Sequence, residues 1–256
     1  WPKEYGGQGR SYVDRLVFTE EMLRYGAPIA GFLTGDRQIG PGLIAYGNEE
    51  QRRYYLPRII KGEIRFALGM SEPEAGTDLA GLTTRAVEDG DSFVINGQKV
   101  WTSWALKADF LYLVAKTNFD PNIPRYRSIS EFIVDMKTPG ITIKPLMDIT
   151  GGVHWTEVFF DNVRIPKSAL IGTKDRGFYQ LMAQLDYERA GIERLMGNYP
   201  LLISIIDYAK KVKLNGVPLC QEPRVRYILS DLLVKFEVGS RRLRTAAWSL
   251  DQKEKP

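Results

Sequence analysis

The chain has 256 residues, of which 44% are hydrophobic and 26% charged, a globular composition with enough apolar residues to bury a core and excluding disorder as a global description. Its formal charge of +4, from 35 basic and 31 acidic residues spread along the chain, leaves no basic tract of the kind that marks nucleic-acid binding. One cysteine, Cys220, and one histidine, His154, exclude an internal disulfide framework and a cysteine/histidine zinc site, and no apolar run approaches the roughly 20 residues that cross a bilayer.

The chain opens at Trp1 rather than methionine and stops at Lys255-Pro256 after an amphipathic pattern, so both ends read as cuts. Residues from about Asp14 to Tyr25 and from Asn48 to Lys61 carry apolar residues at helical spacing, with Gly26, Pro28, Gly35, Gly40 and Pro41 punctuating the region between them. From Phe66 the period changes. Phe93-Val94-Ile95 and Gln98 to Trp101 flank Asn96-Gly97, which predicts two strands around a two-residue turn because Asn-Gly tolerates positive φ. Further apolar runs at Phe110 to Ala115, Ile129 to Val134, Ile141 to Ile143 and Val158 to Phe160 predict strands separated by loops rich in Pro, Gly and Asp. After Gly172 the helical period returns, first from about Phe178 through Lys211, then from Glu222 to Leu250 beyond a turn containing Asn215-Gly216 and Pro218.

Three segments could carry chemistry. The run Phe66 to Asp78 leaves an apolar strand and enters a loop of small residues whose amides and hydroxyls suit phosphates and heteroaromatic edges, although Pro73 and Gly76 serve an ordinary turn equally well. Trp101-Thr102-Ser103-Trp104 sets a flat indole beside two hydroxyls, which fits either a stacked planar ligand or a core tryptophan at a strand end. Glu188 falls in the series Leu181, Leu185, Ile192, Leu195, Tyr199 at steps of three or four, a carboxylate on the face that should be buried. Burial would raise its basicity and suit it to proton abstraction; pairing with Arg189 is the alternative.

Together these motifs resemble the acyl-CoA dehydrogenase family. The resemblance covers Trp1 to Gly9, Ser71-Glu72-Pro73 through Gly76-Thr77-Asp78, Asn96-Gly97-Gln98-Lys99-Val100-Trp101, Val158 through Pro166, and Glu188-Arg189, nearly the whole chain. It implies an α+β multidomain fold truncated at both ends: a helical N-terminal part over 1–65, a middle β-barrel domain over 66–172, and part of a C-terminal four-helix domain over 173–256.

By position it implies that FAD is the cofactor and that Leu68, Met70, Ser71, Gly76, Thr77, Trp101, Thr102 and Ser103 bind it. Met70 and Ser71 would sit at the pyrimidine edge, Gly76 and Thr77 near phosphate, Trp101 beside the isoalloxazine, and Ser103 at the flavin N5. Glu188 would be the base that takes the α-proton of an acyl-CoA while a β-hydride moves to N5, giving the trans-2-enoyl-CoA, with Thr77, Asp186 and Arg189 touching substrate. An electron-transferring flavoprotein or another acceptor, a homo- or heterotetramer, and a cytoplasmic location, or the mitochondrial matrix in a eukaryote, follow from the same resemblance. Where the family commonly carries an Arg-x-x-Phe-Gly-Lys-Pro run reaching the neighbouring subunit's FAD, this chain has Val212, Asn215-Gly216 and Val217-Pro218. That departure resembles the branch in which two different subunits share flavin sites and which includes enzymes for steroid or other bulky acyl-CoAs. A monooxygenase or oxidase on the same fold, and a partner subunit without catalysis, are the competing readings.

Overall fold

The computed structural model describes residues 1–29, 34–189 and 191–252, without the side chains of 186–189. The chain forms two compact units, Trp1–Gln8 with Phe32–Tyr187, and Gly9–Gly31 with Glu188–Pro256. Among the described residues no helix is long and apolar enough to cross a membrane.

The first unit is built on one sheet with strand order β6-β7-β3-β2-β4-β5-β8 and β1 paired in parallel with β4. The strands are β1 (Phe66–Gly69), β2 (Arg85–Asp89), β3 (Ser92–Ser103), β4 (Phe110–Lys116), β5 (Ile129–Asp135), β6 (Ile141–Leu146), β7 (Trp155–Pro166) and β8 (Leu170–Ile171). β4 reads as an unbroken apolar run because it is covered on both faces. Leu111, Leu113 and Ala115 point into one cluster with Phe93, Phe132 and Val158, while Tyr112 points into another with Ile39, Leu43 and Leu56. That second face is covered by α2 (Gly40–Tyr46) and α3 (Glu49–Lys61). Asn48 caps α3 by accepting from Gln51 N at 2.8 Å while the Gln51 side chain answers its backbone N–H.

Gly35, Gly40 and Pro41, which the sequence pattern places in a connection, are instead helical: Gly35 lies in a π-helix, Thr34–Ile39, and Gly40 and Pro41 begin α2, which follows it directly. Close approach explains the glycines: a Cβ at Gly40 would meet the Trp1 ring at 1.9 Å, and one at Gly42 would meet the Gln184 side chain at 2.7 Å.

The Asn96-Gly97 hairpin is overturned. β3 runs straight through both residues, and the turn of this hairpin is Gly90-Asp91, joining β2 to β3 with Asp89 opposite Ser92. Asn96 and Gly97 mark a register shift against β7, between the Ile95 and Gly97 pairings. Gly97 has φ +146°, and an added Cβ would lie 2.7 Å from the Thr84 Cα, so the glycine serves a close backbone approach.

In the second unit, α1 (Tyr12–Arg24) packs with α5 (Glu193–Met196), α6 (Tyr199–Lys211) and α7 (Pro223–Asp251) around Leu16, Ile192, Met196 and Ala247. The Asp251 carboxylate, on the last residue of α7, accepts the first backbone N–H groups of α1, Tyr12 at 2.7 Å and Val13 at 3.0 Å. The buried Glu20 accepts from Arg244 at 2.8 and 3.0 Å and from Arg24 at 3.2 Å.

The continuous helix expected over 178–211 is also corrected. α4 (Gly177–Arg189) ends before α5 begins, and α5 is followed by Gly197 and then α6 with Pro200 in its first turn. Gly191 and Gly197 each disfavour a helix interior by about 1 kcal/mol, and Pro200 is tolerated only where no intrahelical donor is needed. Consequently Leu181 and Leu185 belong to one core and Ile192 and Tyr199 to another, and the stripe that appeared to bury Glu188 does not run along one helix. Glu188, Asp186 and Arg189 lie in α4, but their side chains are outside the described residues.

A pair of glycine variants, one in the β2–β3 turn and one within β3, separates the two roles of glycine here. Gly97→Ala, which combines a disfavoured φ with contact against backbone, should destabilise the protein by about 3 kcal/mol or more. Gly90→Ala, whose added Cβ meets nothing within 4 Å among the described residues, should cost about 1 kcal/mol. Urea midpoints at unchanged slope check the order; equal losses would remove the close-approach account of Gly97.

Candidate functional site

Two segments converge in the first unit, the end of β1 with the loop that follows, and the end of β3. Their meeting is fixed by a buried ion pair. Lys99 donates from Nζ to Glu72 Oε1 at 2.7 Å and to the Met70 carbonyl at 3.0 Å, with its side chain wholly buried. The Glu72 carboxylate also accepts from Thr83 N at 2.6 Å, Thr83 Oγ1 at 2.7 Å and Thr84 N at 2.9 Å. Burial works against charge on Glu72, but the Lys99 ammonium and these hydrogen bonds outweigh it and hold the carboxyl down at about 2. Burial likewise lowers Lys99, against the pull of Glu72, to about 8, so both groups are charged at neutral pH. Val100 N donates to the Ser71 carbonyl at 2.9 Å and completes the seam.

Beyond Lys99 the β3–β7 ladder breaks register, resuming only at Thr102 opposite Thr156. In the break Trp101 takes φ 59°, an uncommon conformation for a bulky residue. The shift turns the indole outward, where it is 61% exposed and meets Trp155 edge-on at 6.2 Å. Trp104, also at positive φ, meets His154 in the same manner at 5.6 Å.

A cavity of about 170 Å³ lies along this seam, lined by Thr34, Gln38, Leu68, Met70, Ser71, Val100, Trp101 and Ser103. Five of the residues put forward from sequence as cofactor ligands therefore share one surface: Leu68, Met70, Ser71, Trp101 and Ser103. Thr102 does not line it; its side chain is buried, and among the described residues its Oγ1 has no hydrogen-bond partner. Gly76 and Thr77 are exposed in the loop and outside the cavity lining, and the space beside Gly76 is open.

Thr34 and Gln38 escaped the sequence reading because they fall on a segment read as a connection, and a π-helix has no periodic signature in so few residues. Glu72 and Lys99 stood inside recognised motifs, but nothing in their local spacing shows that residues 27 apart form a pair.

Chemically, the surface combines an exposed indole, the apolar side chains of Leu68, Met70 and Val100, and the hydroxyl or amide groups of Thr34, Gln38, Ser71 and Ser103. Flat apolar surface edged by hydrogen-bonding groups is what a planar heteroaromatic ring requires. The residues present fit such a group.

Family models for the acyl-CoA dehydrogenase N-terminal domain match residues 1–63, those for its middle domain residues 67–163, and those for its C-terminal domain residues 175–256. The chain is 38% identical over 252 residues to acyl-CoA dehydrogenase FadE26 of Mycobacterium tuberculosis, covering 98% of this chain and 61% of that protein. Among solved structures it resembles the Tcur3481-Tcur3483 steroid ACAD, with a TM-score of 0.87, 38% identity, and coverage of 100% of this chain and 64% of that one. It also resembles the ChsE4-ChsE5 complex from Mycobacterium tuberculosis, with a TM-score of 0.85, 38% identity, and coverage of 99% and 64%. The chain thus spans less than two thirds of the length of each of these relatives.

The ion pair generates a test. Lys99→Met leaves Glu72 buried without its cation and should destabilise the protein by about 3–5 kcal/mol. Adding Glu72→Gln removes the uncompensated charge and should recover a large part of that loss in thermal denaturation. If the double variant is no more stable than Lys99→Met alone, the pair does not act as a unit.

Proposed function

Because the chain belongs to the acyl-CoA dehydrogenase family, whose members are flavin-dependent, we propose that its full-length protein binds FAD and dehydrogenates an acyl-CoA between the α and β carbons, giving the trans-2-enoyl-CoA. The observation that carries the reading is the cavity in which Leu68, Met70, Ser71, Trp101 and Ser103 meet, the residues that the family resemblance assigns to the flavin. We further propose the functional division into an N-terminal helical part (1–65), a middle domain (66–172) and a C-terminal helical part (173–256).

When bound, FAD would supply the acceptor for the β-hydride. The protein's own part is placement. Trp101 would flank the ring, Met70, Ser71 and Ser103 would hold its polar edge, Thr102 would support that strand end, and Gly76 and Thr77 would receive phosphate. Glu188 would take the α-proton, and hydrogen-bond donors to the thioester carbonyl would lower the cost of the charge that develops as the proton leaves. Thr77, Asp186 and Arg189 would contact the CoA ester. Names among the relatives, a steroid ACAD and the ChsE4-ChsE5 complex, support a bulky acyl-CoA and a heteromeric assembly, as does Val212 at the position of a phosphate-binding arginine. A relative 30% identical to this chain, named as subunit CarC of the caffeyl-CoA reductase-Etf complex of Acetobacterium woodii, supports an electron-transferring flavoprotein as the acceptor. We assign the protein to the cytoplasm, or to the mitochondrial matrix in a eukaryote.

In the full-length protein, Glu188→Gln should bind acyl-CoA normally, yet bleach its flavin under anaerobic substrate about 10²–10⁴-fold more slowly than wild type. Trp101→Ala, a control for the cavity, should weaken FAD retention and change the flavin spectrum. Wild-type bleaching in the Glu188 variant would move the base elsewhere, and an unchanged spectrum in a folded Trp101 variant would count against the cavity.

Assembly has a separate check. Expressed alone, the full-length protein should hold fewer FAD molecules than subunits, or assemble fully only with a different partner chain. Native mass spectrometry showing a homotetramer with one FAD per subunit would remove the heteromeric reading.

A further inference from the structure

One buried carboxylate has no part in the chemistry described so far. Glu131, in the middle of β5, is fully buried, and the groups facing it among the described residues are Gln180 and Gln184 of α4 and Tyr112 of β4, none of them a cation. Gln180 Nε2 donates to Glu131 Oε2 at 2.7 Å, and Gln184 Nε2 donates to both oxygens, at 3.2 and 3.3 Å. The orientation of the Gln180 amide is fixed by backbone: its Nε2 also donates to the Ile171 carbonyl at 3.2 Å, and its Oε1 accepts from Thr173 N at 3.1 Å. Gln184 Nε2 reaches the Tyr112 hydroxyl as well, at 2.7 Å. One carboxylate thus gathers two glutamines that stand four residues apart on α4.

The helix is seated closely at the same place. A Cβ on Gly177, the first residue of α4, would lie 2.8 Å from the Ser130 backbone beside Glu131, and one on Gly172 would lie 2.2 Å from Gln180 Oε1. Asp175 N donates to Ser130 Oγ at 2.8 Å. A burial this complete, without a cation, is unfavourable for a carboxylate serving only as filler, for which leucine or glutamine would suffice.

We propose that Glu131 is a positioning residue that fixes α4 on β4 and β5, and thereby sets the placement of Glu188, which follows Gln184 at one further step of four along the same helix. The inference rests on the assignment of Glu188 as base. Because burial raises Glu131 from 4.5 to about 7, the folded state holds a proton that the unfolded chain releases, and stability falls as pH rises across that interval.

The experiment uses the full-length, FAD-loaded protein and three variants: Glu131→Gln, Gln184→Met and Glu188→Gln. Glu131→Gln replaces an acceptor oxygen with a donor facing two amide donors. Hydrogen exchange of the amides in 181–189 should accelerate at least tenfold, with exchange in α3 and β7 unchanged. Flavin bleaching by acyl-CoA should slow at least tenfold at unchanged acyl-CoA affinity and flavin spectrum, and the fall in stability between pH 4.5 and about 7 should disappear. Gln184→Met, which keeps the carboxylate and removes one partner, should move exchange and bleaching in the same direction, and it decides the question if Glu131→Gln fails to fold. Wild-type exchange in α4, or wild-type bleaching in a folded variant, overturns the proposal, as does acceleration spread evenly over the sheet. Glu188→Gln separates the two ideas: wild-type bleaching in that variant sinks the assignment of the base, while exchange in α4 still reports on Glu131.

Discussion

The buried pair of Lys99 and Glu72 is the constraint on which the site depends. A lysine with no exposed surface is tolerable only if its charge is answered, and the answering carboxylate is itself tied to Thr83 and Thr84 by backbone and side-chain donors. The pair therefore joins three stretches of chain: the Met70 end of β1, the start of β2, and the outer half of β3. Each stretch alone is a strand end or a loop. Joined, they present Met70 and Ser71 on one side of a cavity and Trp101 and Ser103 on another. The polar interaction does not line the site; it decides where the lining residues are.

The sequence was legible where a local rule and the global fold ask for the same residues. α3 and α7 begin at Asn48 and Glu222, side chains that cap free N–H groups, and β4 and β5 stand out as apolar runs buried on both faces. Legibility failed where one local signal serves two purposes. Asn215-Gly216 does form the expected tight turn, between the two-residue strands Lys213–Leu214 and Val217–Pro218, with both residues at positive φ. Asn96-Gly97 carries the same letters, yet its glycine is needed for contact with Thr84 across the sheet. No window around residue 96 contains that information. The apolar stripe through Glu188 failed for a related reason, since its spacing continues across two glycines that end one helix and separate the next two.

The candidate site was legible as pieces and illegible as an arrangement. The residues about Ser71 and Trp101 drew notice through their chemistry, and the fold places five of them on one surface. What local chemistry could not show was which hydroxyl faces the cavity. Ser103 does and Thr102 does not, because the register break beyond Lys99 sets the alternation of the strand end. The role of Glu131 was hidden altogether: it sits in an ordinary strand pattern, and its partners are 49 and 53 residues away.

At Trp101 the register break sets two physical demands against each other. Its backbone adopts a conformation that favours glycine, while the cavity uses the ring that glycine lacks. Selection for stability alone would draw this position toward the smallest residue, and selection for ligand binding would hold it at a large flat one. Substitutions there cannot satisfy both demands, since a side chain that relaxes the backbone removes the wall and one that keeps the wall keeps the strain. A single replacement at this position therefore exchanges one demand for the other, and only a change in the register of β3 against β7 would release both.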